Sequence, residues 1–208
     1  VLVKSKQREN GLLAVLENST VNACDGSYIA IFASRLYNEH FRAYNGPEFF
    51  SKYIYHPDRQ CVIGNTEEGF NKVVARVKQS GQSTDNLMHI ALPFAKVDEY
   101  DYEAIARQLN AFKPRYTWVS LGAPKQELFM SRMLPLLDSG MMLGVGAALN
   151  YFSGEIRKIP GWAEKMHLIW FYRIITEPVK QFRRSFFILR NYAEIYLDAR
   201  RKLKRSKR

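Results

Sequence analysis

The hexapeptide Gly122-Ala123-Pro124-Lys125-Gln126-Glu127 follows an apolar run that ends at Leu121. Gly122 permits a tight turn, and Pro124 suits the first turn of a helix. A helix starting there presents free N–H groups and the positive end of its dipole, which is a seat for a phosphate. Lys125 adds charge beside it, and the Gln126 amide can bond a sugar or a base. The same spacing also fits a plain strand-to-helix turn in which Glu127 favours the dipole. A second loop, Gly144-Val145-Gly146-Ala147-Ala148, has side chains small enough for a ligand to approach the backbone. Asp25-Gly26 precedes a helical stretch. Asp25 fits a helix N-cap; facing a pocket, it would instead be a general base. Cap hydrogen bonds keep such a carboxylate ionised and ready to take a proton from a sugar hydroxyl.

Several other chemistries are disfavoured. The 144–149 loop is not a Gly-x-Gly-x-x-Gly fingerprint, because Leu149 holds the sixth position. Gly64 to Gly69 is not a P-loop, because Phe70-Asn71 stands where Lys-Ser/Thr belongs. There is no Asp-x-Asp to hold a metal on a diphosphate and no Gly-x-Ser-x-Gly elbow. His40, His56, His89 and His167 lack ligand spacing, so no metal is expected. Cys24 and Cys61 read as small buried apolar residues, and two cysteines are too few for a disulfide scaffold.

The elements that would carry these residues alternate. Strands are expected at Gln60–Ile63, Leu87–Leu92, Tyr116–Leu121 and Met141–Val145. Helices are expected at Thr66–Gln79, Asp98–Phe112 and Lys125–Leu137, with Tyr102, Ile105, Ala106 and Leu109 on one face of the second. An earlier helix is expected over Ser27–Phe41, with Tyr28, Ile29, Phe32 and Leu36 inward. Such alternation implies an α/β fold with a parallel sheet, whose ligands sit beyond the carboxyl ends of the strands. That singles out the loops at Gly64, Gly122 and Gly146 and the turn at Asp25.

The chain has 208 residues and a formal charge of +11, with a globular composition of 47% hydrophobic and 25% charged residues. Residues 173–208 hold twelve Lys and Arg against three acids, so the first 172 residues are nearly neutral. The basic end also carries Phe182, Phe186, Leu189, Ala193 and Tyr196 at helical steps. Two readings fit it: an interfacial helix on an anionic leaflet, or a terminal helix docked on its own domain. Leu168 to Ile175 is interrupted by Arg173 and falls far short of the ~20 apolar residues a membrane span requires. No signal peptide is evident, and Val1 is not an initiator, so N-terminal truncation is expected. The two expected domains are an α/β domain over 1–155 and a basic, aromatic helical appendage over 156–208.

In combination, these motifs resemble the WecG/TagA/CpsF glycosyltransferases, glycosyltransferase family 26. The residues that carry the resemblance are Asp25-Gly26, Gly64, Gly122 to Glu127, Gly144 to Ala148, Gly154, Ile159-Pro160-Gly161-Trp162, Trp170-Phe171-Tyr172-Arg173 and Glu177-Pro178. They span roughly residues 20 to 185. The resemblance implies a Rossmann-like parallel sheet with a C-terminal amphipathic helical appendage, and that the 1–155 domain binds a nucleotide-sugar. It implies inverting, metal-independent transfer of a sugar from a UDP-sugar to a polyprenyl-diphosphate-linked sugar. The donor sugar would be of the N-acetylmannosamine, N-acetylmannosaminuronic acid or glucose type. The setting would be teichoic acid or exopolysaccharide synthesis at the cytoplasmic face of a bacterial membrane, with self-association possible in the family. It also implies site residues. Asp25 would be the base and Gln126 an active-site contact. Gly64, Gly122, Pro124, Lys125, Glu127, Gly144, Gly146, Ala147 and Asn150 would lie around the UDP-sugar. Arg173, Arg183 and Arg184 would lie over the diphosphates.

This chain departs from the family pattern in several places. Asn150 stands where the family usually has an acid, and Ile169 replaces a Glu before Trp170. Arg42 has no clean counterpart, and the family's upstream strand and helix are missing before Asp25. These departures keep an inactive homologue in play, and the basic tail keeps a nucleic-acid-binding module in play.

Overall fold

The computed structural model describes residues 11–24, 27–44 and 46–156, together with 175, 197 and 199–201 near the carboxyl end. Most of the expected amphipathic appendage, and residues Asp25, Gly26, Arg173, Arg183 and Arg184, lie outside the described residues. By its contacts the chain divides into two compact units. One comprises residues 3–22 and 44–157 with Val1; the other comprises 23–43 and 158–208 with Leu2.

The first unit is built on four parallel strands: β1 (Gln60–Gly64), β2 (Leu87–Ile90), β3 (Tyr116–Ser120) and β4 (Met141–Gly144), in the order β2-β1-β3-β4. Its helices are α1 (Leu12–Glu17), α3 (Gly46–Tyr53), α4 (Glu67–Gln79), α5 (Tyr102–Phe112), α6 (Lys125–Met133) and α7 (Ala148–Ser153). β1 is buried along its whole length. That is the signature of a strand covered on both faces, and it explains why Cys61, Val62 and Ile63 run on as consecutive apolar residues rather than alternating.

Side chains alternate with the pleat. Val62 and Trp118 join one core with Phe50, Ile54, Val73, Val77, Leu149 and Phe152, from α3, α4 and α7 and the turn after α3. Cys61, Ile63 and Val119 join the opposite core with Ile105, Leu109, Phe129 and Met133, from α5 and α6. Burial pushes the Cys61 thiol far above its usual pKa, so it stays protonated and inert. From β1 the chain steps out to β2, then crosses back over β1 to β3. Right-handed crossovers in opposite directions put their helices on opposite faces. The chain therefore leaves β1 and β3 toward opposite faces, and the strand order reverses between them, the position at which such sheets bind ligands.

Caps fix where the helices begin. The Thr66 hydroxyl accepts the Gly69 N–H at 3.0 Å, ahead of Glu67 and Glu68 in the first turn of α4. The second expected helix starts at Tyr102 rather than Asp98, because the Asp101 carboxylate caps it by accepting the Ala104 N–H at 2.9 Å. Residues Val97–Glu99 form a separate 3₁₀ turn. α6 is shorter than expected, since Pro135 turns Leu134–Leu136 into a 3₁₀ segment.

A buried polar clasp joins α3 to the sheet. Gln60 is fully buried. Its Nε2 lies 3.2, 3.2 and 2.9 Å from the carbonyls of Tyr53, Ile54 and His56. Its Oε1 accepts the Trp118 indole N–H at 2.8 Å. One side chain thus satisfies the end of α3 and the largest buried aromatic together.

In the second unit, α2 (Ser27–Tyr37) is the described element. It ends four residues earlier than expected, with Asn38 at a φ of 55°. The expectation that Ile29 points inward is corrected: Ile29 is 40% exposed, while Ala30 is buried. The Ser34 hydroxyl bonds the Ala30 carbonyl and accepts the Phe41 N–H, which turns the following chain back over the Ala30 side.

Candidate active site

Three loops meet at the carboxyl edge of the sheet, and glycine lets them come close. At Gly64 φ is +81°, and a Cβ there would stand 2.7 Å from Leu121 Cδ2 and 3.1 Å from the Ser120 carbonyl. The end of β1 and the turn after β3 approach this closely only without a side chain at position 64. The His89 ring lies across the same corner. Its Nε2 is 3.0 Å from the Gly64 carbonyl, and the ring stacks on Phe70 at 4.7 Å. His89 has no ligand spacing in the sequence, and only the register of β2 against β1 carries it here.

The two motifs read from the sequence are joined by one side chain. Gln126, 7% exposed, accepts the Gly146 N–H on Oε1 at 3.0 Å. Its Nε2 donates to Glu127 Oε1 at 3.1 Å. The Gly146 carbonyl accepts the Ser120 hydroxyl at 2.6 Å. Both polar groups of Gly146 are therefore pinned, one from the end of β3 and one from the first turn of α6. Ser120 gave no sequence signal, because a serine at a strand end is unremarkable until its partner is known. The other oxygen of Glu127, Oε2, is buried without a hydrogen-bond partner among the described residues. An unpaired buried acceptor of this kind has a strong demand for a donor.

Gly144 makes this arrangement possible. A Cβ at this position would lie 2.8 Å from Gln126 Nε2 and 3.0 Å from Met130 Cε. Gln126 cannot retreat without breaking its bonds to Gly146 and Glu127. Gly144→Ala is therefore expected to cost about 1–3 kcal/mol as an overpacked site. That corresponds to a Tm lower by on the order of 5 °C, read by thermal melting. An unchanged melt would show that Gln126 is free to move.

The remaining candidate residues lie as follows. Gly122 has φ +72° with open space where a side chain would be, and Pro124 follows a cis peptide as the cap residue of α6. The Gln126 N–H is already bonded to the Gly122 carbonyl at 2.9 Å. The Lys125 ammonium donates to the Ala95 carbonyl at 2.5 Å and stands 5.0 Å over the Tyr100 ring, which ties α6 to the loop after β2. Ala147 is exposed at the cap of α7. Asn150 points its amide away from the Gly146 turn, donating to Glu155 Oε2 at 2.7 Å. Glu155 in turn meets Lys72, which pairs with Glu68 along α4. The bond to Glu68, with Glu155 adding to it, raises the Lys72 pKa. The loops of Gly64, Gly122, Gln126, Glu127, Gly144 and Gly146 thus come together, whereas Asn150 and Lys125 are bonded within the chain. Arg42 is exposed in the other unit. Among the described residues, no three His, Cys, Asp or Glu side chains cluster to hold a metal. No described helix is long and apolar enough to cross a membrane.

A sequence profile of the glycosyl transferase WecG/TagA/CpsF family matches residues 1–208, the whole chain. The chain belongs to the WecG/TagA/CpsF family. It is similar to an N-acetylglucosaminyldiphosphoundecaprenol N-acetyl-β-D-mannosaminyltransferase of Bacillus subtilis, with 33% identity over 78 residues, 38% of this chain and 30% of the relative. It is also similar to the enzyme of the same name from Staphylococcus aureus, with 32% identity over 75 residues, 36% of this chain and 30% of the relative. The matched stretch thus spans about a third of the length of these curated WecG/TagA/CpsF relatives.

Proposed function

We propose that the protein is a glycosyltransferase that moves a hexosyl group from a UDP-sugar to a sugar carried on a polyprenyl diphosphate. Membership of the WecG/TagA/CpsF family across the whole chain carries this reading, and the glycine-bearing loops that meet at the sheet's carboxyl edge support it. An N-acetylmannosaminyl donor is the first to test, because that is the group named for the relatives. The acceptor hydroxyl attacks the anomeric carbon from the side opposite UDP. The new C–O bond forms as the bond to the diphosphate breaks, with inversion, and UDP leaves with the bonding electrons. Asp25 takes the hydroxyl proton. Gln126, with Ser120, holds the Gly146 turn in place for the donor, and Gly64, Gly122, Pro124, Glu127 and Ala147 surround it. Arg173, Arg183 and Arg184 offset the charge that gathers on the leaving diphosphate. The enzyme works as a peripheral protein on the inner face of a bacterial membrane, in cell-envelope polysaccharide or teichoic acid synthesis.

The test is a screen of UDP-sugars with a short-chain lipid-diphosphate acceptor, read by mass spectrometry. Addition of one hexosyl unit is expected, and no product from any donor would refute the reading. Because arginines and helix ends carry the diphosphate charge in this scheme, EDTA is expected to leave the rate unchanged. Loss of activity with chelator, restored by a divalent cation, would overturn the metal-independent mechanism.

A further inference from the structure

The loop leaving β2, Ala91-Leu92-Pro93-Phe94-Ala95, carries the most exposed large apolar side chain among the described residues. Phe94 is 107% exposed, more open than in an extended chain. It is not held out by slack. The Tyr100 hydroxyl lies 3.4 Å from both the Pro93 and Ala95 carbonyls, and the Lys125 ammonium donates to the Ala95 carbonyl as well. The carbonyls on either side of Phe94 are thus bonded inward to groups on α6 and near the start of α5, so the ring is presented outward on a fixed base. A lone exposed phenylalanine on a mobile loop would need no explanation; one whose flanking carbonyls are held by the Lys125 ammonium and the shared Tyr100 hydroxyl is built to meet something.

The surroundings say what it meets. The Lys125 ammonium stands 5.8 Å from the Phe94 ring, and Lys96 is exposed two residues on. No acid occurs between Leu87 and Val97. The nearest acids are engaged: Asp98 with Arg132, and Glu99 with the Lys96 backbone N–H at 2.8 Å. An apolar tip flanked by Lys96 and Lys125, whose nearest acids are bonded to Arg132 and to a backbone N–H, matches a layer whose interior is apolar and whose surface is anionic. The loop lies on the sheet's carboxyl edge and is tied to the first turn of α6, beside Gln126.

We propose that Phe94, with Lys96 and Lys125 around it, inserts into an anionic lipid surface and docks the rim of the active site against it. This contact uses no residue of the basic C-terminal segment. It rests on the glycosyltransferase reading only for the identity of the adjacent site.

The test uses the full chain with Phe94→Trp and Phe94→Ser. The emission added by Phe94→Trp, taken as the difference from wild type, is expected to shift to the blue on vesicles of mixed phosphatidylglycerol and phosphatidylcholine. Brominated acyl chains are expected to quench it. Phe94→Ser is expected to weaken partition into these vesicles roughly tenfold, the cost of losing one buried phenyl group, while transfer to a water-soluble short-chain acceptor is unchanged. Three results would each overturn the proposal: added emission that neither shifts nor is quenched on vesicles that carry the protein down, equal partition into neutral vesicles, or a blue shift that grows with protein concentration alone, which would assign Phe94 to contact with a second copy. The vesicle readouts need no catalysis, so failure of the soluble-acceptor assay by wild type would strike the functional reading and leave this one standing.

Discussion

Asp25→Asn is expected to lower the rate of sugar transfer by about 10²- to 10⁴-fold, the range a positioned general base contributes. The amide has the size of the carboxylate and can still accept a hydrogen bond at a helix start, so folding and UDP affinity should change little. It cannot take the acceptor's proton. The measurement is an initial rate with a short-chain acceptor, alongside calorimetry with UDP. Loss of turnover with UDP binding kept places Asp25 at the proton-transfer step. Wild-type turnover would remove it from the mechanism, and joint loss of rate and of UDP binding would make it a structural cap.

The second large effect concerns stability. Gln60→Leu keeps the bulk but leaves the buried Trp118 N–H and the carbonyls at the end of α3 without their partner. Each buried group so orphaned costs about 1–3 kcal/mol. With at least two of them affected, the loss should reach about 3 kcal/mol, read as a lower urea midpoint at unchanged m-value. Adding Trp118→Phe removes one orphan, so the double variant should lose less than the sum of the two single losses. A loss below about 1 kcal/mol for Gln60→Leu would show that water or a shift of α3 replaces the clasp.

The sheet was legible because its strands are short apolar runs closed by turn residues. The strands expected at Gln60–Ile63, Leu87–Leu92 and Tyr116–Leu121 needed only length and composition to be placed, and the structure has them at Gln60–Gly64, Leu87–Ile90 and Tyr116–Ser120. Their parallel direction followed from the helices between them. α4 was legible from Thr66 and its two following acids. α3 and α7 were not. Phe49, Phe50 and Tyr53 sit on barely two turns, and they become a helix face by packing on Trp118 and Phe152. Residues 144–148 read as one small-residue loop, yet Ala148, Leu149 and Phe152 form the buried side of a helix. Asn150, expected around the UDP-sugar, lies on that helix, bonded to Glu155.

The candidate site divides the same way. Gly122 to Glu127 and Gly144 to Ala148 were each visible as a motif. That Gln126 spans them depends on β3 and β4 being neighbours, a fact of topology that no local spacing encodes. Ser120 and Phe94 were invisible for opposite reasons. The role of Ser120 lies in one hydrogen bond to a residue 26 positions away. Phe94 matters through its exposure, and hydrophobic patterns are read on the assumption that such residues point inward.

The close approach at Gly144 has an evolutionary consequence. The missing side chain at 144 and the long one at 126 occupy a single volume, so position 144 gains a side chain at a cost for as long as 126 keeps its long one. A lineage that acquires a side chain at 144 is relieved by shortening position 126, and would then have to find another donor-acceptor pair for the Gly146 peptide. Across the family, side chains at 144 should therefore be found mainly beside shorter residues at 126.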